Sequence, residues 1–272
     1  MASYVHGYSA EEAMRLRDQA STLARLLYED LHYPKGATVL EAGCGTGCQT
    51  VFLAAAHPHT HFVSMDIAAA SLQTAAKALA AQGLTNVRLQ QGDIFDPPFA
   101  DRAFDHIFVC FVLEHLADPV GALTALRRLL KPGGTVTVIE GDHGSFYCHP
   151  ETNLARRTVD CLVQLQARLG GDGLIGRRLY PLLTQAGFAQ PQVEPRMVYV
   201  DGSRPDLIEG FSRNTFIAMV RGVREQAIDQ GLIDAAAWDQ GISDLERATE
   251  PEGTFCYTFF RAQAMQTSTV VG

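Results

Sequence analysis

The chain has 272 residues, 47% of them hydrophobic and 19% charged, and a formal net charge of −8. One α/β domain with added helices can fill that length around an ample core. The acidic balance supplies no polybasic tract to neutralise a phosphate backbone, which points away from nucleic acid, and no apolar run approaches the ~20 residues of a membrane span.

The opening stretch, Met1 to Gln19, has neither the basic start nor the apolar centre of a secretory leader, so the protein reads as cytoplasmic. Ser9 and Glu12 form a capping box, and Ala13, Leu16, Ala20, Leu23 and Leu27 then recur at helical spacing, predicting a helical arm over residues 1–33. Strands are predicted at Thr38–Ala42, His61–Asp66, Val87–Gln91, Phe104–Cys110 and Thr135–Glu140, separated by helices at Thr50–Ala56, Ala68–Gln82 and Val120–Leu130. The last of these helices should stop at Lys131-Pro132-Gly133-Gly134. Further on, helices are expected at Glu151–Leu169, Arg177–Ala186, Pro205–Gln230 and Asp234–Thr249, a sixth strand at Gln192–Val200 and a seventh at Thr254–Ala262. Strands alternating with helices predict a doubly wound, mostly parallel sheet with ligands at the carboxyl ends of its strands. The tail from Gln266 to Gly272 is expected to fray.

The strongest motif is Val39-Leu40-Glu41-Ala42-Gly43-Cys44-Gly45-Thr46-Gly47 at the end of the first strand. Alternate glycines permit a sharp turn and close approach of a ligand to bare backbone. Dinucleotide loops space their glycines as G-x-G-x-x-G. Here Glu41 precedes the loop, and a carboxylate beside it would repel a pyrophosphate and suit a cationic or zwitterionic ligand. Asp66, with Ile67, closes the second strand, where an acid can accept from both ribose hydroxyls; the same carboxylate would serve as a helix cap. Asp93 and Ile94 close the third. The fourth leads through Phe104-Asp105-His106-Ile107 to Phe111 and Leu113-Glu114-His115-Leu116, and the fifth to Glu140-Gly141-Asp142-His143 with Tyr147 and His149 beyond.

Together these motifs resemble the Rossmann-like (class I) S-adenosylmethionine-dependent methyltransferase superfamily, in its small-molecule branch. The likeness is specific over about residues 37–142 and looser over the rest. It implies a seven-stranded sheet of order 3-2-1-4-5-7-6 with the last strand antiparallel, within a single domain spanning 1–272. It further implies a cofactor-binding core at 37–142 and helical cap or lid insertions at 151–175 and 204–250. It implies S-adenosylmethionine held by Glu41, Gly43, Cys44, Gly45, Gly47, Asp66, Ile67, Asp93, Ile94, Phe111 and His115. Tyr8 and Arg17 of the N-terminal arm would reach the methionine carboxylate, or Arg17 is an ordinary surface arginine.

For the acceptor, Glu140, His143, Tyr147, Arg213, Asn214 and Phe216 are the candidates. An imidazole, ordinarily titrating near neutrality, makes His143 the candidate general base. His143 could equally be a cap or packing residue, and Phe216, with Met219, a core residue. Asp96-Pro97-Pro98-Phe99 mimics the signature of amino-methylating enzymes of nucleic acids and proteins, but it precedes the fourth strand and reads as a loop.

Six cysteines (Cys44, Cys48, Cys110, Cys148, Cys161, Cys256) read as buried reduced thiols. Cys44 with Cys48, or His143 with His149, lacks the further ligands of a metal site, so no metal is expected. The expected activity is methyl transfer to nitrogen or oxygen of a small, aromatic or heterocyclic metabolite. The alternatives are a protein or RNA methyltransferase, a nucleotide-dependent oxidoreductase and a non-catalytic cofactor-binding module.

Overall fold

The computed structural model describes residues 22–266. A helix over residues 22–28 (α1) opens it. Strands and helices then alternate: β1 (Thr38–Ala42), α2 (Cys48–Ala56), β2 (His61–Asp66), α3 (Ala69–Ala81), β3 (Val87–Gln91), β4 (Phe104–Cys110), α4 (Pro119–Arg127) and β5 (Leu130–Gly141). The second half contains β6 (Tyr147–His149), α5 (Asn153–Arg168), α6 (Leu179–Gln185), β7 (Ala189–Val200) and α7 (Pro205–Leu207). A π-helical stretch, Ile208–Ile217, runs on into α8 (Ala218–Arg221), followed by α9 (Arg224–Asp229), α10 (Ala235–Arg247) and β8 (Thr254–Met265).

The sheet runs β3-β2-β1-β4-β5-β8, with β7 on the far side of β8. The first five strands are parallel, and β8 is antiparallel to β5, β6 and β7. With β7 and β8 as the predicted sixth and seventh strands, this is the order the resemblance implied. The addition is β6, which continues the line of β5 along β8, with Tyr147 opposite Cys256.

Alternation along the central strands explains the layering. Val39, Phe108 and Ile139 join one core with α1, α5 and α10 (Leu27, Leu162, Trp238), while Leu40, Ile107 and Val138 join another with α4 and α6 (Leu123, Leu182). Successive residues of a strand point to opposite faces, so a doubly covered sheet needs apolar residues at both parities. Asp118, Thr152 and Asp234 cap α4, α5 and α10 by accepting the amides of Gly121, Ala155 and Ala237.

Most predicted bounds shift by a few residues, and two departures are larger. Lys131-Pro132-Gly133-Gly134 lies inside β5 as an irregularity: Leu130 pairs with Phe104 and regular pairing resumes at Thr135, opposite His106. The single helix expected over 205–230 is broken. Its buried positions, Phe211, Ser212, Thr215, Phe216, Ile217 and Val220, recur at the wider spacing of a π-helix. Gly210 presses on α1, where a Cβ would stand 2.4 Å from Thr22 Oγ1.

Candidate cofactor and acceptor site

The glycine loop leaves β1 in left-handed backbone, with φ of +80° at Gly43, +52° at Gly45 and +82° at Gly47. At Gly43 a Cβ would lie 2.5 Å from Val112 Cγ2, and at Gly47 2.8 Å from Ala75 Cβ, whereas nothing lies within 4 Å of the corresponding point at Gly45. Gly43 and Gly47 are therefore demanded by packing and Gly45 by its conformation alone, with an open side facing outward.

Asp66 organises this loop. Its Oδ2 accepts the amide of Gly45 and its Oδ1 that of Ala68, both at 2.8 Å. Beyond it Ile67 is 61% exposed, Asp93 is exposed, and Ile94 is half-buried. Asp93 turns its own loop by accepting the Phe95 amide at 2.9 Å.

Glu41 behaves differently from its sequence reading as a carboxylate lining the crevice. It is 3% exposed, and its Oε2 accepts from Thr50 Oγ1 at 2.5 Å and Ser64 Oγ at 2.7 Å. The apolar sheet around it forces it to tie β1 to α2 and β2. Burial pushes its pKa up to about 7 against the pull of the two hydroxyls. Cys44 is also buried, and burial pushes its thiol well above the ordinary range. Among the described residues no group of three or more His, Cys, Asp or Glu is arranged to hold a metal ion.

On the other side of the loop, β4 is followed directly by Phe111, whose φ of +57° is rare for an aromatic residue. Its amide is held by Ile139 O at 2.9 Å, and its ring lies 5.6 Å from that of Phe259. Glu140, fully buried at 0% exposure, accepts the amides of Val112 and Leu113 through Oε1 at 3.0 and 2.7 Å. Burial first, and then the neighbouring Glu114, raise its pKa.

His143 is 4% exposed. Its Nδ1 lies 2.9 Å from Tyr257 Oη, and its Nε2 3.6 Å from Glu114 Oε2. Gln166 donates from Nε2 to Glu114 Oε2 at 3.2 Å, and His115 Nε2 lies 3.6 Å from Glu114 Oε1. Asp142, next to His143, is clamped by Arg177 through two bonds of 2.6 and 2.7 Å. A buried polar cluster thus joins the ends of β4, β5, α5 and β8.

Of the acceptor candidates, the structure brings together only Glu140 and His143. Tyr147 is 51% exposed on β6. Arg213 and Asn214 face outward on the π-helical stretch, Arg213 bonding Thr249 and Glu209. Phe216 is 1% exposed and packs against Phe146, Phe255 and Tyr257 as core. Tyr8 and Arg17 lie outside the described residues. Sequence reasoning gave no role to Glu114, Gln166 or Tyr257. Gln166 alone left a signal, as a polar residue on the inward stripe of α5 formed by Val159, Leu162 and Leu165.

Comparison with known proteins fits this geometry. Residues 39–134 match the family model described as a methyltransferase domain. An uncharacterised methyltransferase of Schizosaccharomyces pombe is 32% identical over 179 residues, covering 63% of this chain and 61% of that protein. Over residues 39–134 the chain carries a methyltransferase domain. An uncharacterised protein of transposon TN4556 from Streptomyces fradiae is 30% identical over 231 residues, covering 84% of this chain and 63% of that protein. The chain therefore spans about three fifths of the length of these curated relatives. Among solved structures, the YcgJ protein of Bacillus subtilis shares the fold, with a TM-score of 0.60 at 17% identity, covering 91% of this chain and 99% of that one.

S-adenosylmethionine is the cofactor that a methyltransferase domain of this fold implies, and the residues present fit it. Gly45 offers unobstructed backbone, Asp66 stands beside it with both oxygens oriented by amides, and Ile67 and Asp93 are exposed where an adenosine would cover them.

Proposed function

We propose that the protein is an S-adenosylmethionine-dependent methyltransferase acting on nitrogen or oxygen of a small, aromatic or heterocyclic metabolite. The observation that carries this reading is the buried cluster of Glu114, Glu140, His143, Gln166 and Tyr257 behind the glycine loop. Small-molecule sites are typically enclosed by apolar and aromatic walls with a few convergent polar groups. Phe111, Tyr257 and Phe259 supply such walls, with ring centroids 5.6 Å apart between Phe111 and Phe259 and 4.8 Å between Tyr257 and Phe259. The net charge of −8 supports the same choice over RNA.

Gly43, Cys44, Gly45 and Gly47 would hold the methionine part of the cofactor through backbone, Asp66 the ribose, and Asp93 with Ile67 and Ile94 the adenine. Phe111 and His115 would close its far side. The bound cofactor supplies an electrophilic methyl group on a sulfonium. The chain's residues then align an acceptor, exclude water and take up one proton, and alignment provides most of the rate enhancement. His143 would take the proton: Tyr257 Oη lies 2.9 Å from its Nδ1, and the Glu114 carboxylate, 3.6 Å from Nε2, would stabilise the resulting imidazolium.

The test pairs calorimetry with S-adenosylmethionine and S-adenosylhomocysteine with radiolabelled methyl transfer into small-molecule and macromolecular fractions. Micromolar binding with label in the small-molecule fraction supports the reading. No heat with either compound, or label only in protein or RNA, overturns it. Replacement of His143 by Gln is expected to lower kcat by roughly 100-fold with little change in KM.

A further inference from the structure

We propose that Glu140 and Gln166 form a subsite for an amino group, so that the molecule methylated is an amine. This rests on the function proposed above and narrows it from nitrogen or oxygen to nitrogen. Glu140 Oε1 already serves the amides of Val112 and Leu113, yet its Oε2 is buried and has no hydrogen-bond partner. Gln166, 3% exposed, commits its Nε2 to Glu114, which fixes the orientation of the amide, because the flipped form would set oxygen against oxygen. Its Oε1 is then a second buried acceptor with no donor.

Native interiors rarely leave such atoms unpaired, and those that remain often face a ligand or an ordered water. The two belong to one cluster. Glu114 accepts from Gln166 and acts electrostatically on Glu140, and both glutamates act on Tyr257. The cluster is also tied to the cofactor loop, since Val112, whose amide Glu140 holds, is the residue packed against Gly43.

A nitrogen that met both acceptors, the carboxylate oxygen and the amide oxygen, would give each its own hydrogen and so bring at least two. A primary amine has two and its ammonium three; a hydroxyl has one. In the transfer, the neutral nitrogen uses its lone pair to form the new N–C bond while the C–S bond of the donor breaks and leaves its pair on sulfur. The proton displaced from nitrogen goes to Nε2 of His143.

The experiment first verifies S-adenosylhomocysteine binding to the full chain by calorimetry; failure there would overturn the preceding proposal and so remove the basis of this one. The protein saturated with that compound is then titrated, by saturation-transfer NMR, with two shape-matched pairs: benzylamine against benzyl alcohol, and tyramine against tyrosol. The amines are expected to bind at least tenfold more tightly. Glu140→Gln, which keeps an oxygen for the two amides, should retain S-adenosylhomocysteine binding and lose that preference, and Gln166→Leu should weaken amine binding by a similar factor. Equal binding of amines and alcohols, binding of none of the four, or an unchanged preference in a folded Glu140→Gln protein overturns the proposal. So does a structure with benzylamine bound elsewhere and an ordered water spanning the two acceptors. The wild-type ratio decides the matter even if a variant fails to fold.

Discussion

Oδ2 of Asp66 accepts the amide of Gly45 at 2.8 Å, binding the end of β2 to the middle of the glycine loop 21 residues earlier. An acid at this position shapes the loop before any ligand arrives. Asp66→Ala is expected to lower the affinity for S-adenosylhomocysteine at least tenfold in calorimetry and to cost about 1–3 kcal/mol of stability in urea titration, since two amides lose their acceptor. Asp66→Asn, which keeps one acceptor oxygen, should fall between.

Gly43→Ala and Gly45→Ala should separate packing from ligand access. At Gly43 the new methyl meets Val112 at 2.5 Å in left-handed backbone, so denaturant titration should show a loss of about 1–3 kcal/mol, with cofactor binding falling as a consequence. At Gly45 the space is open and only the conformational cost of about 1 kcal/mol applies. Calorimetry should there show affinity falling by more than the change in stability accounts for, because the methyl stands on the face offered to the ligand.

Glu41 makes stability depend on pH. Its folded pKa is raised from 4.5 to about 7, so between those values the folded state binds more protons than the unfolded state. Stability from this group is complete below about pH 4.5 and is lost as pH rises to about 7, a difference on the order of 3 kcal/mol for a shift of that size. Glu41→Gln can keep an oxygen for Thr50 and Ser64 while carrying no charge. Urea titrations from pH 4.5 to 8 should show the variant with a flatter profile and a relative gain above pH 7.

Tyr257→Phe removes the partner of His143 Nδ1 while keeping the ring that packs between Phe211 and Phe259. The fold should survive with a loss of about 1–2 kcal/mol. Turnover should fall roughly tenfold through kcat, and the low-pH limb of the kcat profile should shift, since the imidazole loses the group that orients it. An unchanged pH profile would assign Tyr257 to packing alone.

Most of the cofactor half was legible in the residues, because its parts are local. The bounds of β1 to β4 follow from short apolar runs ending in Gly43, Asp66, Asp93 and Phe111, and the glycine spacing depends on backbone geometry that sequence encodes directly. The direction of a side chain was harder to read. Glu41 looked like a ligand-facing acid because nothing local reveals Thr50 and Ser64 folding over it. Tyr257 was indistinguishable from Phe255 and Phe259 along β8, for its value lies in a contact across 114 residues. Arg213 and Asn214 face outward because the wider period of the π-helical stretch turns Thr215 and Phe216 inward instead.

The arrangement of β8 has a consequence for how the chain assembles itself. Residues 254–265 hold β5 and β6 along one edge and β7 along the other, so a strand late in the described residues is the one for which three earlier strands wait. The β1–β4 half can pair as it emerges. Glu140 and His143 of the buried polar cluster meet Tyr257 only when that strand slots in. Completion of this polar cluster should therefore lag behind the glycine-loop side by the slow, long-range closure typical of distant strand pairing.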